Sequence, residues 1–137
     1  MMKLKSLLFS TARYSPDLAI LVLRLGAGFF LARWGWDKFI SFDEKAVDWP
    51  DPLHVGHGVS LALTVFSELV CSVLVIIGLL TRPALAVLIV TMLIIIFVIH
   101  AGQPLSEREH AFSFLIPFIA LLLLGPGRFS LDALIRK

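Results

Sequence analysis

Hydrophobic residues are concentrated in four long runs, separated by short segments rich in polar residues, proline or glycine. The runs cover residues 18–36, 59–80, 84–100 and 111–124. A helix needs about 20 predominantly apolar residues to cross the ~30 Å hydrocarbon core of a bilayer. The pattern therefore predicts an all-α fold, an integral membrane bundle of four transmembrane helices that form a single membrane domain over residues 1–137.

Local signals mark where these helices begin, end and bend. Ser15 can cap the first helix, with Pro16 at the first helical position. Residues 37–58 form the longest connection, which Pro50 and Pro52 keep from being helical throughout. Pro117 interrupts the fourth run and should kink its helix. Short amphipathic segments at both termini are expected to lie at the membrane surface.

Composition strengthens the membrane assignment. Hydrophobic residues make up 58% of the chain, charged residues only 16%, and the mean hydropathy is +0.93. The net charge of +2 gives no basic surface of the kind that binds nucleic acid. The single cysteine, Cys71, cannot form an internal disulfide or a CxxC pair. Redox chemistry would therefore require a bound cofactor, a quinone or a partner chain.

Basic residues are distributed unequally between the two sides of the predicted bundle. The positive-inside rule places the more basic side in the cytoplasm. The side that carries both termini has the larger set: Lys3, Lys5, Arg13, Arg82, Arg128, Arg136 and Lys137. The opposite loops carry Lys38, Lys45 and Arg108 among seven acids. Both termini are therefore predicted to be cytoplasmic, with residues 37–58 outside.

Glu68 is the main candidate for chemistry because it is the only ionisable residue in the second hydrophobic run. A charge at that depth costs about 2.5–3.5 kcal/mol on insertion scales. Thr64 and Ser72 lie four residues to either side of Glu68 and share its helix face. This polar stripe predicts a packed face with Glu68 directed at another helix.

The predicted partner of Glu68 is Arg24, with His100 or a protonated carboxyl group as alternatives. Arg24 shares a helix face with Gly28, and glycines allow close helix approach. Arg33 lies nine residues further on, about 180° around the helix, so it should face lipid or a neighbouring subunit. Arg24, Glu68 and His100 thus form the candidate intramembrane polar site.

Three roles for Glu68 remain open at this point. It could be half of a buried pair that only fixes helix register, a proton relay or ligand-anchoring acid, or a contact with a partner subunit. For metals, the sequence favours no site. His54 and His57 are the only candidate pair, with His100 or His110 as a third ligand, and this would require a helix at that point. A polar loop is the favoured interpretation of the pair.

Several motifs together resemble the DoxX family of membrane proteins. RLGAG at residues 24–28 and GWDKF at 35–39 resemble its first helix, although Trp34 replaces a frequent histidine. E-L at residues 68–69 and GLLTR at 78–82 resemble the family's second helix and the turn that follows it. His100 matches a histidine that often ends the third helix, and GPGRFSLD at 125–132 resembles the family's C-terminal motif. Lys38 belongs to the first motif and joins Thr64 and Ser72 as a supporting site residue. The resemblance spans about residues 18–134.

The resemblance implies a small protein of the cytoplasmic (inner) membrane that acts as a membrane subunit or anchor of a quinone-linked or oxidative-stress oxidoreductase. It also implies a redox partner protein, with a quinone as candidate cofactor, and an accessory role more than an enzyme acting alone. Two alternatives stay open. One is a proton-coupled carrier of small molecules centred on Glu68, and the other is a purely structural or assembly module, such as a homo-oligomer.

Overall fold

The computed structural model describes residues 2–136, and every regular element in that range is a helix. In chain order these are α1 Met2–Leu8, α2 Pro16–Ile40, α3 Phe42–Lys45, α4 His57–Ile77, α5 Thr81–Ile99, α6 Leu105–Leu124 and α7 Leu131–Arg136. The all-helical prediction is confirmed. Three of the helices, α2, α4 and α5, are long and apolar enough to cross a membrane.

The four long helices pack as a closed ring. Helix α2 contacts α4 and α6, and α5 contacts the same two helices from the other side. The core between them is made of aliphatic and aromatic side chains, among them Leu31, Leu88, Met92 and Phe118, each at most 1% exposed. Many large apolar side chains point outward instead, as expected of a surface that meets lipid.

The start of α2 is as predicted. The Ser15 side chain accepts a hydrogen bond from the amide of Leu18, and Pro16 occupies the first turn. The buried face of α2 contains Arg24, Gly28 and Gly35, whereas Arg33 is exposed on the opposite face. The predicted orientation of both arginines is therefore confirmed.

Two helix limits differ from the prediction by four residues or more, and the limits of α4 and α5 differ by three residues or fewer. Helix α2 continues to Ile40, four residues beyond Trp36, so Asp37 and Lys38 are helical and not part of the loop. Helix α6 begins at Leu105, because its polar first turn continues directly into the apolar segment that begins at Ala111. Hydropathy alone cannot show either extension, since polar residues at a membrane boundary can remain helical.

Both α4 and α5 contain a stretch of π-helix. It covers Phe66–Cys71 in α4 and Ile95–Ile99 in α5. The wider turn of a π-helix changes the direction of the side chains that follow, and such stretches are frequent at functional sites. Glu68 lies within the first stretch, and the second ends directly before His100.

Candidate functional site

Glu68 is paired with a lysine from another helix. It is buried in the π-helical stretch of α4, and its Oε2 accepts a hydrogen bond from Nζ of Lys38 at the end of α2. The Lys38 side chain is 14% exposed and that of Glu68 only 2%. No other ion pair occurs in the part of the chain that the structure describes. The buried carboxylate thus has its counter-charge.

Gly35 allows the two helices to bring this pair together. A Cβ atom at Gly35 would lie 2.7 Å from the amide nitrogen of Leu69 and 2.8 Å from the carbonyl carbon of Glu68. Only a residue without a side chain permits such an approach of α2 to the backbone of α4. Lys38 follows Gly35 by three residues and therefore lies on the same face of α2.

The predicted pair between Arg24 and Glu68 does not form, and that prediction was wrong. The Arg24 guanidinium instead donates to four backbone carbonyls. Its acceptors are Val75 at 3.0 Å, Ile76 at 2.8 Å, Phe129 at 2.8 Å and Pro126 at 3.3 Å. The last carbonyls of a helix lack intrahelical donors and carry the negative end of its dipole, so the end of α4 attracts this cation.

The Lys38–Glu68 pair lines a cavity of about 420 Å³. The cavity lies between the four long helices, at the end of the bundle away from the termini. Met92, Ile95 and Ile99 of α5 supply an aliphatic wall, and Trp49 of the connecting segment supplies an aromatic one. A largely apolar pocket with a few polar groups directed into it is the usual form of a small-molecule site.

Asp51 fixes the connecting segment that covers this cavity. Its carboxylate accepts hydrogen bonds from the Ser60 hydroxyl and from the amides of Val55 and Gly56. The hydrogen bond from Ser60 is the largest cause of a lowered pKa for Asp51, which keeps it ionised. Since Ser60 belongs to α4, the bonds anchor the preceding Trp49 and Pro50 beside the helix.

Two histidines contribute to the same cavity. His100 lies just after the π-helical end of α5, and its Nδ1 lies 2.9 Å from Oε1 of Gln103. His110 of α6 packs against Trp34, with ring centroids 4.8 Å apart. Lys38 Nζ is 6.0 Å from the Trp34 ring centroid and 5.8 Å from that of Trp49. Lys45 also lines the cavity, which thus combines two ammonium groups with two indole rings and two imidazoles. Asp37 and Glu107 add carboxylates to that of Glu68.

The remaining predicted residues are more dispersed. Thr64 lines the cavity, and its hydroxyl donates to the carbonyl of Ser60. Ser72 is fully buried beyond the cavity. His54 precedes α4, which His57 begins, so these two histidines do not form the helical pair that a shared metal would require. Among residues 2–136 no three potential metal ligands lie together.

Sequence reasoning missed the role of Lys38 as the partner of Glu68, as well as Trp49 and His110. For Lys38 a signal existed: it continues the spacing of Gly28, Leu31 and Gly35 along one face of α2. The predicted end of the first helix at Trp36 placed Lys38 in the loop, where a helical spacing does not apply. Trp49 and His110 had no comparable signal, because their positions depend on how a loop folds back and how α6 packs.

Comparison with known proteins identifies the family. No curated protein and no solved structure matches the chain. The DoxX family model matches residues 19–101, more than half of the chain. That region contains Lys38, Glu68 and His100, whereas the segment around Phe129 that binds Arg24 lies outside it. This chain therefore belongs to the DoxX family and is a membrane protein with apolar helices.

Proposed function

We propose that this protein spans the inner membrane with four helices and binds the head group of a quinone in the cavity beside Lys38 and Glu68. In that role it serves as the membrane subunit of an oxidoreductase system. The cavity is the observation that carries the proposal. It lies within the ~300–1,000 Å³ range of small-molecule sites. It also presents a cation and aromatic rings within apolar walls.

The basic residues support the proposed orientation. Helix α6 is the fourth span, and α1 and α7 lie at the cytoplasmic surface with Lys3, Lys5, Arg82 and Arg136. The cavity then opens toward the outer side of the membrane.

The polar groups of the cavity suit a quinone. A quinone is a planar ring with two carbonyl oxygens, and it supplies two-electron, two-proton redox chemistry. The Lys38 ammonium has three N–H groups and uses one in its hydrogen bond to Glu68, so the others can donate to a carbonyl oxygen of the quinone. The Trp34 and Trp49 rings offer faces for a planar ring. Electrons would come from a partner oxidoreductase.

The packed core favours a binding site over a passage. Between Glu68 and the Arg24 end of the bundle lie Leu31, Leu88 and Phe118, each with no exposed surface. Beyond them the guanidinium of Arg24 closes that end. A carrier centred on Glu68 would need this layer to open, whereas a binding site needs it closed.

Quinone binding tests the proposal. The protein is reconstituted in lipid nanodiscs, and tryptophan fluorescence is followed during titration with decylubiquinone. We expect saturable quenching in the wild type. Lys38→Met should weaken binding about tenfold, since a hydrogen bond from a charged group contributes about 1.5–3 kcal/mol.

Arg33→Met is the matched control, because Arg33 belongs to the same helix but is exposed on its opposite face. It should leave the affinity unchanged. Mass spectrometry of lipids extracted from the purified protein gives an independent reading of bound quinone. Absence of saturable quenching in the wild type, or equal loss in both variants, would refute the proposal.

A further inference from the structure

A second, smaller groove adjoins the cavity. It has a volume of about 80 Å³ and lies between α4 and α5. Five residues line both spaces: Trp49, Pro50, Thr64, Ile95 and Ile99. The two spaces therefore share a wall, and the groove lies beside the cavity, between α4 and α5.

Three apolar residues that line only the groove lie toward the outside of the bundle. Leu63 of α4 is 49% exposed, Ile94 of α5 is half-buried, and Leu53 above them is 56% exposed. In a membrane-spanning bundle such an outward surface contacts acyl chains. The groove thus lies between the polar cavity and the aliphatic side chains that would contact lipid.

From this adjacency we infer that the natural ligand carries an apolar chain, which leaves the cavity past the shared wall, through the groove, and lies between α4 and α5. The inference rests on the proposed function and adds the ligand class and its route of entry. A ligand of this kind dissolves in the bilayer and enters laterally. A small water-soluble molecule would gain nothing from an apolar opening, whereas burial of a chain contributes free energy for each methylene group.

The π-helical stretches are consistent with this route. Phe66–Cys71 in α4 follows Leu63 and Thr64 of the groove, and Ile95–Ile99 in α5 supplies two residues of the shared wall. A π-helical stretch bends or widens a helix locally. Here the π-helical stretches of α4 and α5 both lie next to the groove.

Blocking the groove tests the inference. Two probes share one head group: decylubiquinone and the tail-free ubiquinone head. Ile94→Trp places a large ring in the groove without touching the cavity wall, and Leu63→Trp does the same from α4. The control is Leu93→Trp, the neighbouring residue on α5, which is 39% exposed and lines neither space. Binding of each probe is measured in nanodiscs by ligand depletion, with size exclusion confirming the folded state.

We expect Ile94→Trp to weaken decylubiquinone binding about tenfold or more while tail-free binding changes less than about twofold. Leu63→Trp should behave likewise, and Leu93→Trp should affect neither probe. If both probes lose affinity equally, or decylubiquinone binding stays unchanged in both groove variants, the lateral route is wrong. If neither probe binds the wild type, the proposed quinone function fails as well.

Discussion

Helix α2 carries two largely buried cations, and they differ in their exposure and in their hydrogen-bond partners. Arg24, near its start, is 1% exposed and bound only by neutral carbonyl groups. Lys38, near its end, has a side chain that is 14% exposed, pairs with the Glu68 carboxylate and borders a cavity. Both cations face the interior of the bundle. The Arg24 guanidinium is hydrogen-bonded to four carbonyls of the protein, whereas the Lys38 ammonium has N–H groups left for a ligand.

The difference follows from the two side chains. A guanidinium presents a fixed planar set of donors, which suits acceptors from several directions. Arg24 uses it to join the last turn of α4 to the segment before α7. An ammonium is a point charge with three donors, and Glu68 accepts only one of them. We therefore assign stability to the Arg24 end and ligand binding to the Lys38 end.

Asp132 completes the Arg24 end. Its carboxylate accepts hydrogen bonds from the amides of Leu80 at 2.8 Å and Thr81 at 2.9 Å, where α5 begins. Its own amide donates to the carbonyl of Gly78 at 2.8 Å. The C-terminal segment is thus bound to the turn between α4 and α5 beside Arg24. At the cavity end, Asp51 accepts comparable hydrogen bonds from Ser60 and from the amides of Val55 and Gly56, but none of these bonds involves Lys38.

The largest expected effect comes from removing the Arg24 guanidinium. Arg24→Met keeps an apolar stem but leaves several buried carbonyls without a donor, each at a cost of about 1–3 kcal/mol. We expect a loss of about 3 kcal/mol or more, seen as a large drop in Tm in detergent. Arg24→Lys should recover little of it, because an ammonium cannot reach all the acceptors.

Arg33→Met serves as the control on the opposite face of α2 and should change stability by less than about 0.5 kcal/mol. An Arg24→Met protein as stable as the wild type would show that the two ends of α2 do not differ as we describe.

An intermediate effect is expected at Gly35, where α2 contacts the backbone of α4. Gly35→Ala forces the helices apart and should cost about 1–3 kcal/mol. It should also weaken decylubiquinone binding, since Lys38 moves away from Glu68. Gly26→Ala is the matched control, because a Cβ atom there meets nothing within 4 Å. That variant should gain up to about 1 kcal/mol, as alanine favours the helix.

Equal melting temperatures for the two alanine variants would contradict the role assigned to Gly35. Lost stability with unchanged quinone binding would show instead that the Lys38–Glu68 geometry does not depend on this contact.

The smallest effect is expected at Asp132. Asp132→Asn should lower stability by about 1 kcal/mol, as for loss of a helix cap. Partial burial raises the pKa of Asp132, but the hydrogen bonds from the amides of Thr81 and Leu80, with the charge of Arg24, lower it overall. A carboxylate with a lowered pKa in the folded state stabilises the protein above its unfolded pKa of about 3.9.

That contribution is lost as the pH falls through the lowered pKa of the folded state. The difference in Tm between the wild type and Asp132→Asn should therefore be constant near neutrality and shrink only below about pH 4. A difference that grows on acidification would contradict this sign.

Much of the fold was predictable from sequence because each long helix carries its own signal. The apolar runs gave α2, α4 and α5, and Ser15 with Pro16 gave the first residue of α2. Gly28, on the same face as Arg24, indicated which face of α2 is packed, and the nine-residue spacing placed Arg33 on the opposite face. These are local properties, determined by periodicity and by residues adjacent in the chain.

The partners of the buried charges were not predictable in the same way. Glu68 lies 30 residues from Lys38, and Arg24 lies more than 100 from Phe129, so no local pattern connects them. The helix face that Arg24 shares with Gly28 favoured it as the partner of Glu68, but α2 extends further and Gly35 brings Lys38 to the carboxylate.

The sequence by itself determined that this is a helical membrane protein with a buried acid that requires a partner. Hydrophobic length and the cost of burying a charge dictate both facts. Only the tertiary structure decided which cation pairs with Glu68, which cation binds the backbone carbonyls at the opposite end of the bundle, and where a cavity remains. Those outcomes depend on backbone approach between distant segments, here set by glycines and a folded-back loop.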